Sequence, residues 1–148
     1  MSFIPRFGAY AAAFEKAYVA DEWSLVEPYF TEDAVYEAGL PELLGGRVEG
    51  RAAILDYFRE VLNRFDRRFA SRRVELLEGP RETGSSVWIK GRALYTAAGV
   101  PDLAFDLEET AHFDGDRIRL LVDVYTPEES AKLAAYVKAH GARIGLAY

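Results

Sequence analysis

The residue with the clearest chemical potential is Glu109, because it interrupts an otherwise apolar face of a predicted strand. In the segment 103–113 (LAFDLEETAHF) the side chains alternate between two faces. The face that carries Glu109 otherwise holds only apolar residues: Leu103, Phe105, Leu107, Ala111 and Phe113. A carboxylate there must find partners or stay protonated, since an unpaired buried charge is costly. Glu109 is therefore a candidate acid or base, unless the strand is bulged or the side chain reaches solvent at the rim.

Asp123 is a second candidate, on the last predicted strand, 117–125. Simple alternation places it on the less apolar face, with Arg119, and so toward solvent. The turn sequence Asp114-Gly115-Asp116 predicts a tight hairpin that brings Asp123 close to Glu109. Two neighbouring carboxyl groups in a dry site titrate apart and can act as an acid and base pair. The alternatives are a surface aspartate or a structural partner for an arginine.

Aromatic side chains complete the predicted site. Tyr95 shares its strand face with Gly91 and Ala93, whose small side chains leave room for a cavity. A tyrosine facing that space could donate a hydrogen bond to a carbonyl or epoxide oxygen, although ordinary aromatic packing explains it equally well. The remaining candidates for the wall of a ligand pocket are Phe14, Tyr18, Phe58, Leu107, Ala111, Phe113, Leu121 and Tyr125.

Composition excludes several other kinds of site. The chain has 148 residues, no cysteine and only two histidines, so neither a thiolate site nor a metal centre is expected. A net charge of −6 argues against a nucleic-acid partner, and the arginine-rich stretch 64–73 is interpreted as a solvated helix end. No signal peptide or membrane-length apolar run is present, which predicts a cytoplasmic protein without a membrane partner. No phosphate-binding glycine motif is found and no cofactor is expected.

Hydrophobic periodicity predicts one α+β domain spanning residues 1–148, with helices at the beginning and end and a strand-rich second half. Thr126, followed by Pro127 and by Glu129 three residues after the cap, marks the start of the last helix. The segment 39–50 is predicted to be a loop. The predicted helices are 6–20, 25–30, 51–65 and 127–138, and the predicted strands are 34–38, 72–77, 86–96, 103–113 and 117–125.

Several of these segments together resemble the nuclear transport factor 2-like superfamily, in its SnoaL-like branch. The resemblance lies in 23–37 (WSLVEPYFTEDAVYE), 46–54 (GRVEGRAAI), 113–118 (FDGDRI) and 123–125 (DVY). It implies a cone-shaped, strongly curved antiparallel sheet with helices packed on its concave face, enclosing a pocket. Proteins of this fold have many different activities, so the fold alone does not identify one. The resemblance also implies a homodimer, and it places Asp123 inside the cone, against the alternation argument.

The activities known for this fold match the chain only in part. Ketosteroid isomerases use a tyrosine, a base and a protonated aspartate, and the resemblance places these at Phe14, Ala38 and Ala111, where all three groups are missing. Limonene-epoxide hydrolases activate water with a tyrosine and an aspartate, which the resemblance places at Tyr36 and Asp123. Their asparagine falls on Ala38, and their arginine–aspartate pair falls near Ile89 and Gly91.

The sequence therefore predicts a pocket that binds a small apolar, oxygenated molecule. Asp123, Glu109 and Tyr36 are the candidate catalytic residues of a cofactor-free isomerase, hydrolase, dehydratase or cyclase. A non-catalytic ligand carrier or sensor and a homodimeric protein-interaction module remain open alternatives.

Overall fold

A computed structural model describes residues 2–39 and 46–146. The chain forms an α+β fold in which a curled, unclosed sheet wraps around helices. The six strands are β1 (Phe30–Ala38), β2 (Gly46–Glu49), β3 (Ser71–Thr83), β4 (Ser86–Thr96), β5 (Leu103–Asp114) and β6 (Arg117–Val124). The three α-helices are α1 (Ile4–Ala20), α2 (Arg51–Arg64) and α3 (Pro127–His140), and short 3-10 turns occupy Trp23–Leu25, Glu27–Tyr29, Asp66–Arg68 and Gly141–Ile144.

The sheet has the strand order β2-β1-β6-β5-β4-β3. Strands β3 to β6 form an antiparallel meander, and β2 pairs antiparallel with β1. The expectation of a wholly antiparallel sheet is corrected at one place, because β1 and β6 run parallel. The long meander between them lets β6 return beside β1, so Tyr36 and Asp123 come from neighbouring strands although they are far apart in sequence.

Three parts of the prediction differ from the structure by more than two residues. β1 begins at Phe30, so 25–29 forms two 3-10 turns rather than one helix and 31–33 is strand rather than turn. The expected loop 39–50 contains β2, and its residues 40–45 lie outside the described part of the chain. β3 continues past the predicted end at Leu77 to Thr83, because two irregularities in its pairing with β4 absorb Gly79-Pro80 without ending the strand.

An irregularity in β6 decides which of its residues face inward. Phe113 pairs with Ile118 but His112 pairs with Leu120, so Arg119 is an extra residue in the ladder. The extra residue shifts the alternation, and Ile118, Leu121 and Asp123 are all buried. The sequence-based alternation in β6 was therefore wrong, whereas the inward position implied by the resemblance is observed.

Two aromatic-rich clusters form the core, and the predicted pocket lies where they meet. The first joins α1, α2, β1 and the hairpin end of β5 and β6, with Trp23, Phe30 and Ile118 almost fully buried. The second joins β4, β5 and α3, with Leu133 and Tyr136 of α3 packed among aromatic residues. Among the helices of the described chain, none is long and apolar enough to cross a bilayer.

We expect Thr126→Ala to lower the free energy of unfolding by about 1 kcal/mol, because it removes an N-cap. The Thr126 hydroxyl accepts a hydrogen bond from the Glu129 backbone N–H at 3.2 Å, as the sequence predicted. Urea unfolding followed by circular dichroism measures the loss. Thr126→Ser is the control and should keep most of the stability, and a Thr126→Ala protein as stable as the wild type would contradict the cap.

Candidate functional site

A cavity of about 210 Å³ lies between the concave face of the sheet and helices α1 and α2. Its wall is mainly aromatic and aliphatic, as expected for a site that takes an apolar ligand. Polar groups enter it at two places, around Glu109 with Asp123 and around Asp66 with Arg72. The aromatic members of the wall are Phe7, Tyr10, Phe14, Tyr36, Tyr57, Phe58, Tyr95, Phe105 and Tyr125.

The first polar group is built by three adjacent strands. Glu109 on β5 pairs directly with Asp123 on β6, which brings their side chains together on the concave face. The Tyr36 hydroxyl on β1 donates a hydrogen bond of 2.5 Å to Asp123 Oδ2. Asp123 is 7 % exposed, whereas Glu109 is partly accessible from the cavity. Glu109 is thus the member that meets a ligand first, and Asp123 lies behind it, held by Tyr36.

The two carboxyl groups hold one proton between them at pH values well above the ordinary pKa of a glutamate. Burial raises the pKa of Glu109 well above its ordinary value of 4.5, and the neighbouring charge of Asp123 raises it further. Burial also raises the pKa of Asp123, while hydrogen bonds from Glu109 and Tyr36 act to lower it. The buried Asp123 Oδ1 has no hydrogen-bond partner among the described residues. The proton therefore resides on Glu109, which donates to Asp123, and the negative charge resides on Asp123.

Tyrosine rings surround this pair and remain protonated. Burial, followed by the charge of Asp123, raises the pKa of Tyr57 to about 12. Burial also raises the pKa of Tyr10 and Tyr125 well above 10, with added contributions from Glu109 and Asp123. Their phenols therefore keep their protons, and none of them serves as a base at neutral pH.

The second polar group was not predicted. Asp66, which follows α2, accepts hydrogen bonds from Arg72 Nε at 2.7 Å and from the Tyr95 hydroxyl at 2.9 Å. Arg72 Nη1 also donates to Glu15 on α1, at 2.9 Å to Oε2. Burial lowers the pKa of Arg72, but the Asp66 and Glu15 carboxylates outweigh burial and raise it overall. Arg72 therefore stays charged and is fully occupied by two carboxylates.

One interpretation of the sequence obscured this group. The arginine-rich stretch 64–73 was interpreted as a solvated helix end, but the Arg72 side chain is only 9 % exposed. Arg72 belongs to β3 and pairs with Tyr95 of β4, so both residues face the concave side. The available signal was the spacing of Arg72 and Val74 at the start of a strand, which places both on one face.

Most of the predicted site residues meet in this cavity. Tyr36, Glu109 and Asp123 line it together, and so do Phe14, Phe58, Gly91, Ala93, Tyr95, Leu107, Leu121 and Tyr125. Whether they bind a ligand remains a prediction.

Three predicted wall residues lie elsewhere. The ring of Phe113 stacks on Phe3 at 5.2 Å, because the start of α1 covers that end of β5. Ala111 is fully buried in the first core cluster. The Tyr18 ring lies under the guanidinium groups of Arg67 and Arg72, at 4.6 and 4.9 Å, toward the outside of α1. Periodicity placed these residues on the correct side of their elements but not at the correct depth.

Residues 10–144 match the model of the SnoaL-like domain. The chain belongs to the SnoaL-like domain family. No curated protein matches the chain. Among solved structures, the SnoaL-like chain is similar to an NTF2-like protein of unknown function from Burkholderia pseudomallei, with 16% identity and a TM-score of 0.68 over 93% of this chain and 98% of the other.

Two further solved structures share the fold of this SnoaL-like domain. One is a cystatin-fold protein from Novosphingobium aromaticivorans, with 20% identity and a TM-score of 0.59 over 84% of this chain and 98% of that one. The other is an LEH-like epoxide hydrolase from M. tuberculosis, with 17% identity and a TM-score of 0.61 over 90% and 93% of the two chains. At these identities the similarity shows the fold alone.

The carboxyl pair of this SnoaL-like domain lies beside the positions that the isomerase resemblance left vacant. Ala38 pairs with Asp123, so the aspartate occupies the strand next to the missing base. Glu109 precedes Ala111 by two residues and therefore shares its face of β5. Ionisable groups therefore lie next to two of the vacant positions, one on the neighbouring strand and one a single alternation step along β5.

We expect the contribution of Glu109 to the stability of the folded protein to fall as pH rises above 4.5, because unfolded Glu109 ionises there while folded Glu109 keeps its proton. The folded state then binds more protons than the unfolded state, so ionisation favours unfolding. Glu109→Gln removes this effect, so the stability of the variant relative to the wild type should be higher at pH 8 than at pH 5. Urea unfolding midpoints at both pH values test it.

Glu108→Gln is the matched control for that comparison. Glu108 is the preceding residue, lies on the opposite face of β5 and accepts a hydrogen bond from Trp88 Nε1 at 3.0 Å. Its variant should follow the wild-type pH dependence. Parallel midpoints for Glu109→Gln and the wild type would show that Glu109 titrates normally.

For the second polar group, we expect Arg72→Met to destabilise the protein by about 3 kcal/mol, because it leaves Asp66 buried without its cation. The double variant Asp66→Asn, Arg72→Met removes both charges and should recover more than half of that loss. Urea unfolding of both variants measures the difference. Additive losses from the two substitutions would contradict a buried ion pair at this position.

Proposed function

We propose that this protein is a cofactor-free enzyme that carries out acid–base chemistry on an apolar, oxygenated small molecule. The observation that carries the proposal is a pair of carboxyl groups sharing one proton in an aromatic cavity, with Tyr36 bonded to the inner member. A carboxylic acid and a carboxylate side by side supply both a proton donor and a proton acceptor near neutral pH.

A proton-transfer cycle can be written with the residues of the chain. Glu109 donates its proton to an oxygen of the substrate. Asp123 accepts a proton from a substrate C–H bond in an isomerisation or elimination, or from a water molecule in a hydrolysis. The pair then holds the proton on Asp123 and the charge on Glu109, and transfer along their shared hydrogen bond restores the starting state.

The aromatic wall supports this chemistry in two ways. Exclusion of water strengthens the interaction of the pair with a polar substrate group. The phenols of Tyr10 and Tyr125 stay protonated and can donate hydrogen bonds to a developing oxyanion. The similarity in fold to an epoxide hydrolase is consistent with this class of reaction.

A ligand carrier is the second candidate function. It is favoured by Ala38, Ile89 and Gly91, which stand where the hydrolases of this fold have an asparagine and an arginine–aspartate pair. A carrier would use the same cavity and would release its ligand unchanged. Native mass spectrometry of gently purified protein, with fragmentation of any released compound, would identify such a ligand and also test the predicted homodimer.

The acid–base function is testable without the natural substrate, using 5-nitrobenzisoxazole. A carboxylate base removes its ring C–H proton, the N–O bond breaks, and a coloured nitrophenolate forms. We expect the wild type to accelerate this reaction and Asp123→Asn to lose about a hundredfold of the rate. Glu109→Gln should also be slowed, since it removes the partner that holds and returns the proton.

The matched control is Glu108→Gln, which should retain the wild-type rate because Glu108 points away from the cavity. The rate is followed by absorbance at several pH values. A wild-type rate no faster than that of Asp123→Asn would remove the proposed base. Binding of the compound without turnover would favour the carrier.

A further inference from the structure

The charges in the cavity wall are unbalanced. Four carboxyl side chains line the cavity, Glu15, Asp66, Glu109 and Asp123, whereas Arg72 is the one cationic side chain among the described wall residues. Arg72 bonds Asp66 at 2.7 Å and Glu15 at 2.9 Å. The charge of Arg72 is therefore already paired within the protein, and the cavity wall as a whole is negative.

The pair formed by Glu109 and Asp123 has no cationic partner in the described chain. The groups that act on it are the two carboxyls themselves and Tyr36. Asp123 is more than nine-tenths buried, and its Oδ1 atom has no hydrogen-bond partner among the described residues. A buried negative charge balanced only by hydrogen bonds favours a cation supplied from outside.

Aromatic rings surround the same pair. The Tyr36 ring lies against the rings of Phe58 and Tyr57, with centroid distances of 5.3 and 5.4 Å. Tyr10 and Tyr125 are close enough to the pair for its charges to raise their pKa values. The faces of aromatic rings carry negative potential and attract ammonium groups, most strongly where water is excluded. Rings and carboxyls together therefore form surroundings suited to an organic cation.

We propose that the cavity binds protonated apolar amines, with the ammonium group at Glu109 and the apolar body among the aromatic rings. The ammonium donates N–H bonds to Glu109 and lies next to the single negative charge of the pair, which Asp123 carries. A carboxylate ligand finds no free cation and meets like charge, so it is excluded. This inference rests on the site of the proposed function, but it does not require turnover.

The test compares ligands that differ only in the head group. Two apolar bodies, phenylethyl and naphthylmethyl, are each used as the amine, the alcohol and the corresponding carboxylate, and binding to the full chain is measured by calorimetry at pH 7. We expect each amine to bind at least about tenfold more tightly than its alcohol, and the carboxylates not to bind.

Variants of the carboxyl pair test whether the preference for amines over alcohols comes from this site. In Glu109→Gln and in Asp123→Asn the advantage of the amine over the alcohol should shrink to less than about threefold, while binding of the alcohol remains as evidence of an intact cavity. Glu108→Gln, on the outer face of β5, should keep the full advantage. Loss of the advantage in Glu108→Gln as well would assign it to the overall charge of the protein rather than to the pair.

The inference is overturned if the alcohol binds as well as the amine, if a carboxylate binds as tightly, or if none of the six compounds binds. Its failure is separable from that of the proposed function. Turnover of 5-nitrobenzisoxazole that depends on Asp123, without a preference for amines, would support the proposed enzyme function and exclude the proposed amine site. Amine preference without turnover would leave the amine site in a carrier.

Discussion

Two carboxyl groups facing each other across adjacent strands set the central constraint on this molecule. Glu109 and Asp123 are direct partners in the β5–β6 ladder, and the described chain places no cation beside them. Ionising both would put two like charges into an apolar cavity, so one proton stays. The hydrogen bond from Tyr36 then places the charge on Asp123 and leaves Glu109 as the protonated member facing the cavity. The chemistry that the site can perform follows from that single proton.

The fold supplies the geometry that this constraint needs. The bulge at Arg119 turns Asp123 inward, and the parallel pairing of β1 with β6 brings Tyr36 within reach of it. Helices α1 and α2 cover the concave face with aromatic side chains, which removes water from the pair. The second polar group, in which Arg72 is held by Asp66 and Glu15, ties β3 to α1 and to the end of α2. Because Arg72 is paired with these two carboxylates, its positive charge does not offset the negative charge of the other carboxyl pair.

The sequence was sufficient to predict the features that depend on local pattern. The alternation around Glu109, the N-cap at Thr126 and the bounds of β4 are all properties of short segments, and the structure agrees with them. It was insufficient where a non-local pairing overrides the local pattern. The bulge at Arg119 is stabilised by the partner strand, so alternation alone turned Asp123 outward. Arg72 was misjudged because its burial depends on Asp66 and Glu15, which only the folded chain brings near.

The titration of the Glu109 carboxyl group in the folded protein is the most direct test of whether the carboxyl pair holds a proton. Carbon-13 NMR of the side-chain carboxyls follows each group through pH, and Glu109→Gln assigns the signal. We predict one glutamate resonance that keeps the chemical shift of a protonated carboxyl far above pH 4.5 and disappears in the variant. A Glu109 signal that titrates at or below 4.5 would contradict the account, because both carboxyls would then be ionised and the site would hold no proton to transfer.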